Sequence, residues 1–216
     1  MKAKLRWFEL EAVRLHAREW LPDEEDPQKP IFLLYHGLSS NSLTWKFVAH
    51  ALVAAGYSAI AVDQRGHGPS DKPESGYDFA TVAGEVHQVI EEFAPRTVIA
   101  AGQSWGGNVM LETAVRYPGA ALGYIFVDGG FLNLHGRGTW EQISVELRPP
   151  TLVGFPRTEI MERIGQMRPG WIPDGVEMTL GNFEILEDDT VRPWLSLDRH
   201  MQILRALYDQ DVERLF

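Results

Sequence analysis

Apolar and polar residues alternate over residues 12–18, Ala-Val-Arg-Leu-His-Ala-Arg. A strand with one buried face and one wet face has this period of two, so the chain is expected to open with an antiparallel hairpin or meander. A charged, proline-punctuated loop spans residues 22–30, and beyond it the pattern changes to short continuous apolar runs at 31–35, 58–62, 97–101 and 122–127. Each run has the length of a strand buried on both faces, and the spacers at 41–55, 79–93 and 105–117 are long enough for crossover helices. Repeated strand-helix-strand order predicts an α/β fold, a mostly parallel central sheet with helices on both faces. Past Phe131 the alternation stops. The remainder is rich in Trp, Met, Pro and charge and reads as mainly helical and separate, dividing the chain into residues 1–130 and 131–216. Within it, Met201, Leu204 and Leu207 fall at helical spacing, with Ser196 or Asp198 as N-cap.

Composition narrows the classes of function. The chain has 216 residues, no cysteine, 44% hydrophobic and 23% charged residues, as expected of one compact domain with a smaller appended lobe. Thirty acids against twenty Lys and Arg give a formal charge of -10, spread over both parts of the chain. With no basic half, neither nucleic acid nor an anionic membrane is an expected partner. The longest apolar runs fall far short of the roughly 18 residues of a membrane helix. Residues 1–7 carry charge but no apolar stretch, so no signal peptide is expected and the cytoplasm is the expected location. The histidines are scattered and no H-E-x-x-H occurs, so neither a metal nor another cofactor is expected. A small-molecule substrate is the expected partner, and the oligomeric state is left open.

The strongest local signal is Gly102-Gln103-Ser104-Trp105-Gly106-Gly107, which follows one apolar run and opens a helical pattern. A G-x-S-x-G sequence in this setting is a nucleophile elbow, in which a sharp strand-to-helix turn strains the Ser backbone and leaves room only for glycine two residues to either side. Gly102 and Gly106 meet that need, and the Ser104 hydroxyl would stand above a helix N-terminus that favours developing negative charge. Acyl transfer needs two N-H donors aimed at the oxyanion, one from the residue after the nucleophile and one from an earlier strand-end loop. Trp105 and Leu38 occupy these places, the latter in Tyr35-His36-Gly37-Leu38, where Gly37 permits close backbone approach and His36 is expected to brace the loop. The Gly-rich stretch Asp63-Gln64-Arg65-Gly66-His67-Gly68 lacks a phosphate-binding pattern and reads as a turn network in which Asp63 and Arg65 pair locally.

Together these three segments resemble the serine-nucleophile branch of the α/β-hydrolase fold superfamily, over essentially residues 3–216. The resemblance implies that Ser104 is the nucleophile, that the Leu38 and Trp105 amides form the oxyanion hole, and that residues from about 131 onward form a cap over the substrate pocket. It also implies a triad in the order Ser, acid, His, the last two in late strand-end loops. Serine at the elbow speaks against the epoxide hydrolase and haloalkane dehalogenase branches, which use a carboxylate there. The sequence departs from the pattern after the cap-like segment, because no further apolar run with an Asp-bearing loop and terminal His follows. The chain therefore resembles the front part of such a hydrolase, with the C-terminal core strands missing, through either truncation or degeneracy. Asp128, just past the run 122–127, is the best internal acid; His135 and His200 are the only histidines after Ser104, and His200 is expected at the surface or lining the pocket. The expected function is a serine hydrolase of a small, mostly uncharged ester, lactone or related carbonyl compound. The alternative is a non-catalytic hydrolase-fold protein that binds a ligand or partner without a triad His.

Overall fold

The fold is described by a computed structural model for residues 2–167 and 169–215. Strands β1 (Lys4–Glu9) and β2 (Arg14–Trp20) form the expected antiparallel hairpin, with Phe8 opposite Leu15 and both side chains buried. Strands β3 (Ile31–Tyr35), β4 (Ala59–Val62), β5 (Val98–Gln103) and β6 (Gly123–Val127) run parallel to one another. The sheet order is β1-β2-β4-β3-β5-β6, with β2 joined antiparallel to β4.

Helices α1 (Lys46–Ala54), α2 (Phe79–Glu91) and α3 (Trp105–Arg116) are the crossovers. Ala49 and Val53 of α1 meet Trp20, Leu34, Ala59 and Ala61 on one face of the sheet. Val82, Val86 and Val89 of α2, with Val109 and Met110 of α3, meet Leu33, Tyr35 and Ile60 on the other. Covering both faces explains why β3 and β4 are continuously apolar, since each such side chain buried contributes about 1.5–3 kcal/mol. The neighbouring strands β3 and β5 send their helices to opposite faces, and this divergence opens a crevice at their carboxyl ends, the usual ligand position in open α/β sheets.

Two features differ from expectation. β6 carries an apolar run like those of β3 and β4, yet Ile125, Phe126 and Val127 remain 43%, 39% and 39% exposed. It is an edge strand, paired among the described residues with β5 alone. The second part of the chain holds α4 (Trp140–Glu146), α5 (Arg157–Met167), α6 (Pro173–Leu180) and α7 (Leu197–Asp209). It also holds an unexpected antiparallel sheet in the order β7-β9-β8, built from β7 (Phe155–Pro156), β8 (Phe183–Ile185) and β9 (Thr190–Pro193). Strands of two to four residues are too short to display a period in sequence.

This second part docks at the carboxyl ends of the parallel strands. Ser196 caps α7 by accepting from the Arg199 amide, and Ile203, Leu204 and Leu207 on its inner face enter the main core. Asn41 Nδ2 donates to the Met178 carbonyl at 2.9 Å, and Lys46 Nζ contacts Asp174 at 2.5 Å. Among the described residues no helix is long and apolar enough to cross a membrane.

Candidate active site

Ser104 sits at the junction of β5 and α3 with φ +52° and ψ -122°. Such a conformation costs a non-glycine residue about 1–3 kcal/mol and persists only where its surroundings impose it. The surroundings here are backbone: a Cβ on Gly102 would lie 2.1 Å from the Gly106 carbonyl oxygen, and one on Gly106 would lie 2.6 Å from the carbonyl oxygens of Tyr35 and His36. The Ser104 amide donates to the Val127 carbonyl at 2.9 Å, so the elbow is clamped between the ends of β3 and β6. From the other side, Asn108 on α3 is fully buried and accepts from the Gly130 amide at 3.0 Å while donating to Gln210 at 2.7 Å.

The structure brings Leu38, Trp105 and Ser104 to one place. Gly37 approaches the elbow so closely that a Cβ there would meet Ser104 Cβ at 3.1 Å, and Leu38 follows it directly. Trp105 is the first residue of α3, so its amide has no carbonyl four residues back within the helix. Both amides are thus carried by segments packed against the nucleophile.

Two buried imidazoles frame this loop. His36 Nδ1 donates to the Gly37 carbonyl at 2.8 Å and its Nε2 accepts from the Gln64 amide at 3.2 Å, a neutral ring used as a brace. His67 Nδ1 donates to the Arg65 carbonyl at 3.0 Å, its Nε2 accepts from the Ser39 amide at 3.2 Å, and its ring stacks on Trp105 with centroids 5.5 Å apart. Burial first, then the nearby His36, push the His67 pKa down to about 3, so the ring remains a neutral acceptor near neutral pH.

Asp63 and Arg65 do not pair with each other. Asp63 accepts from His16 Nδ1 at 2.7 Å, Arg18 Nη1 at 3.2 Å and the Ser42 amide at 2.6 Å. Burial alone would raise its pKa, but His16, the field of His36, Arg18 and the Ser42 amide outweigh it and hold the carboxyl near 2. Arg65 instead donates to Glu85 on α2 through Nε at 2.9 Å. Both residues lie in the loop past β4, and each finds its partners on other elements, Asp63 on β2 and at Ser42, Arg65 on α2.

Of the remaining sequence-derived residues, Asp128 follows β6, is exposed, and adopts φ +47°. His135 is exposed on a short turn, edge-on to Tyr208 at 5.2 Å. His200 on α7 is buried and lines a cavity of about 730 Å³ between the two parts of the chain. Its Nδ1 lies 2.9 Å from the hydroxyl of Ser39, the residue after Leu38, which itself has φ +56°. Ser39 and its contact with His200 are invisible in sequence, because 161 positions separate the partners. Ser104 is half-buried, and no imidazole or carboxylate among the described residues hydrogen-bonds its hydroxyl. No cluster of three or more His, Asp or Glu suited to a metal occurs among them either.

Comparison with known proteins agrees with this fold. A segment of 99 residues is 35% identical to the 2-(acetamidomethylene)succinate hydrolase of Mesorhizobium japonicum, covering 46% of this chain and 35% of that protein. Over 193 residues the chain is 28% identical to epoxide hydrolase B of Mycobacterium tuberculosis, covering 85% of this chain and 49% of the relative. The matched part therefore spans half or less of the length of these curated relatives. Among solved structures, E-2-(acetamidomethylene)succinate hydrolase superposes with TM-score 0.80 at 23% identity, over 99% of this chain and 76% of that one. A thioesterase domain from the curacin biosynthetic pathway superposes with TM-score 0.76 at 19% identity, over 100% and 78%. At these identities the two superpositions speak to the fold alone. The alpha/beta hydrolase family itself matches residues 31–215, the span that carries the parallel strands, the elbow and the loop before it, and the chain belongs to that family.

Proposed function

We propose that the protein is a serine hydrolase acting on a small ester, lactone or related carbonyl compound through an acyl-enzyme on Ser104. The observation that carries this reading is the strained Ser104 backbone, held at φ +52° beside the Leu38 and Trp105 amides. In the proposed reaction Ser104 Oγ attacks the carbonyl carbon, and the carbonyl electron pair moves onto oxygen, where the two amides receive it. One such donor is worth about 2.7–4 kcal/mol of transition-state stabilisation. Collapse re-forms the carbonyl and expels the leaving group, which takes up a proton, and water then cleaves the acyl-enzyme. The hydroxyl proton requires an imidazole base.

Asp128 is our assignment for the acid that orients that base. It follows Val127, whose carbonyl holds the Ser104 amide, and its positive φ is the kind of strain found at functional sites. Residues from about 131 onward would act as the cap. A relative is named an epoxide hydrolase, but the elbow of this chain carries a hydroxyl in place of the carboxylate of that branch, which favours acyl transfer.

A second reading, a ligand-binding protein without catalysis, is favoured by one observation: no imidazole among the described residues bonds the Ser104 hydroxyl. Treatment with a fluorophosphonate probe, located by mass spectrometry with Ser104→Ala as control, separates the two. Labelling at Ser104 supports the hydrolase. An unlabelled, folded sample favours the binding protein.

A further inference from the structure

The cavity between the two parts of the chain begins at Ser39 and Ser40, just past Leu38, and runs under the start of α7 toward Trp194 and Phe183. Its charge is opposite to that of the molecule. Against thirty acids and twenty bases overall, its wall carries Lys72, Arg192 and Arg199 but one acid, Glu184. Glu184 is already engaged, accepting from Arg192 Nε at 2.9 Å.

Lys72 and Arg199 have no carboxylate at ion-pair distance among the described residues, although twelve of the fourteen described arginines are in ion pairs. Neutral acceptors hold them instead. Lys72 Nζ donates to the Gly68 and Ser70 carbonyls, both at 2.7 Å, and lies 4.6 Å from the centroid of Trp194. Arg199 donates through Nε to the Pro73 carbonyl at 2.9 Å, through Nη2 to the Lys72 carbonyl at 2.7 Å, and through Nη1 to Ser196 Oγ at 3.1 Å. These contacts fix the two cationic heads without neutralising them, and both retain unused N-H donors. Burial lowers the Lys72 pKa; Glu184 opposes this and Arg199 adds to it, so the two cations are close enough to repel.

Two further features point the same way. The wall includes Ser196 and Leu197 at the N-terminus of the thirteen-residue helix α7, whose dipole favours negative charge. His200 also lines the cavity; it is 7% exposed, and its Nε2 has no hydrogen-bond partner. Burial lowers its pKa, and the Leu147 carbonyl, near the ring, opposes part of that effect. Its Nδ1 pairs with Ser39 Oγ at 2.9 Å, on the wall of the cavity next to Leu38.

We infer that this cavity is a carboxylate subsite, in which Lys72 and Arg199 hold the charged end of a monoanionic acyl compound whose reacting carbonyl points toward Leu38 and Ser104. The orientation rests on the hydrolase reading of Ser104; the anion binding does not. The expectation from sequence is a mostly uncharged substrate, but the local field of the cavity decides what it accepts.

Calorimetric titration of the whole chain with phenylacetate, its neutral isostere phenylacetamide and inorganic phosphate tests the assignment. Phenylacetate is expected to bind at least about tenfold tighter than either competitor, the strength of a charge-assisted pair. Lys72→Gln and Arg199→Lys are each expected to weaken the acid several-fold and leave the amide unchanged. Should the arginine variant fail to fold, the lysine variant still carries the test. Equal affinity for acid and amide, no binding of the acid, or variants that bind the acid like the parent would overturn the subsite. Phosphate binding as tightly as phenylacetate would overturn the acyl compound as its ligand. Acid binding without fluorophosphonate labelling of Ser104 would sink the hydrolase reading alone, and labelling without acid binding would sink the subsite alone.

Discussion

Asp63 and Asp128 each follow a valine at the carboxyl end of a parallel strand, β4 and β6. Asp63 is fully buried and accepts from His16, Arg18 and the Ser42 amide. Asp128 is exposed, has φ +47° and makes no ion pair among the described residues. The neighbours make the difference. β4 lies between β2 and β3, so its terminal loop is enclosed and a charge buried in it must be paired; β6 has a neighbour on one side only. The same local sequence becomes a strut in one place and an available group in the other.

The largest expected break in this contrast is Asp63→Ala. Removing one partner from a buried charged network costs about 3–5 kcal/mol, while Asp128→Asn, which keeps a residue that tolerates the positive φ, is expected to stay within about 0.5 kcal/mol. Urea unfolding of both variants measures the gap, and similar losses would show that the two carboxylates are equivalent.

The next effect is on acid stability. The pKa of His67 falls from 6.5 in the unfolded chain to about 3 in the fold, so below pH 6.5 the unfolded state binds a proton the fold does not. Its contribution is present above pH 6.5 and is lost on acidification at about 1.4 kcal/mol per pH unit. Burial lowers the pKa of His36 and His200 in the same direction, which steepens the slope. Asp63, with a pKa lowered from 3.8 to about 2, adds a separate loss between those values. Urea midpoints at pH 7, 6 and 5 are expected to fall steadily, and His67→Gln to remove about one proton from the slope. A flat profile would mean that the ring is not held neutral.

The smallest change sets the elbow against the open edge. Gly102→Ala places a Cβ 2.1 Å from the Gly106 carbonyl oxygen and is expected to abolish probe labelling of Ser104 as well as destabilise the fold. Gly123→Ala, in β6, meets nothing within 4 Å and is expected to be neutral or to stabilise by up to about 1 kcal/mol. Thermal unfolding of the two variants, with labelling of each, reads both outcomes. A strongly destabilised Gly123→Ala would show that the β6 side is more tightly packed than its exposure indicates.

Much of the architecture was legible because its causes are local. Apolar runs the length of buried strands marked β3 to β6, and Ser196 marked the start of α7. The elbow was legible from its motif: glycine at 102 is demanded by the Gly106 backbone four residues on, whereas glycine at 106 is demanded by the carbonyls of Tyr35 and His36, brought there by the sheet. The β7-β9-β8 sheet escaped notice because its strands are shorter than any period. The pairing of Asp63 with His16 and of Arg65 with Glu85 escaped because the partners lie on elements brought together by the sheet.

The amino-acid sequence by itself determined the alternation of strand and helix, the strained serine between them, and the glycines that let backbone approach it, since these follow from side-chain size and periodicity over a few residues. The tertiary structure alone decided which carboxylate is buried, that His200 reaches the residue beside Leu38, and that Lys72 and Arg199 share one wall. Those are matters of field and desolvation, which depend on distance through space, and residues 72 and 199 are neighbours only after the chain has folded.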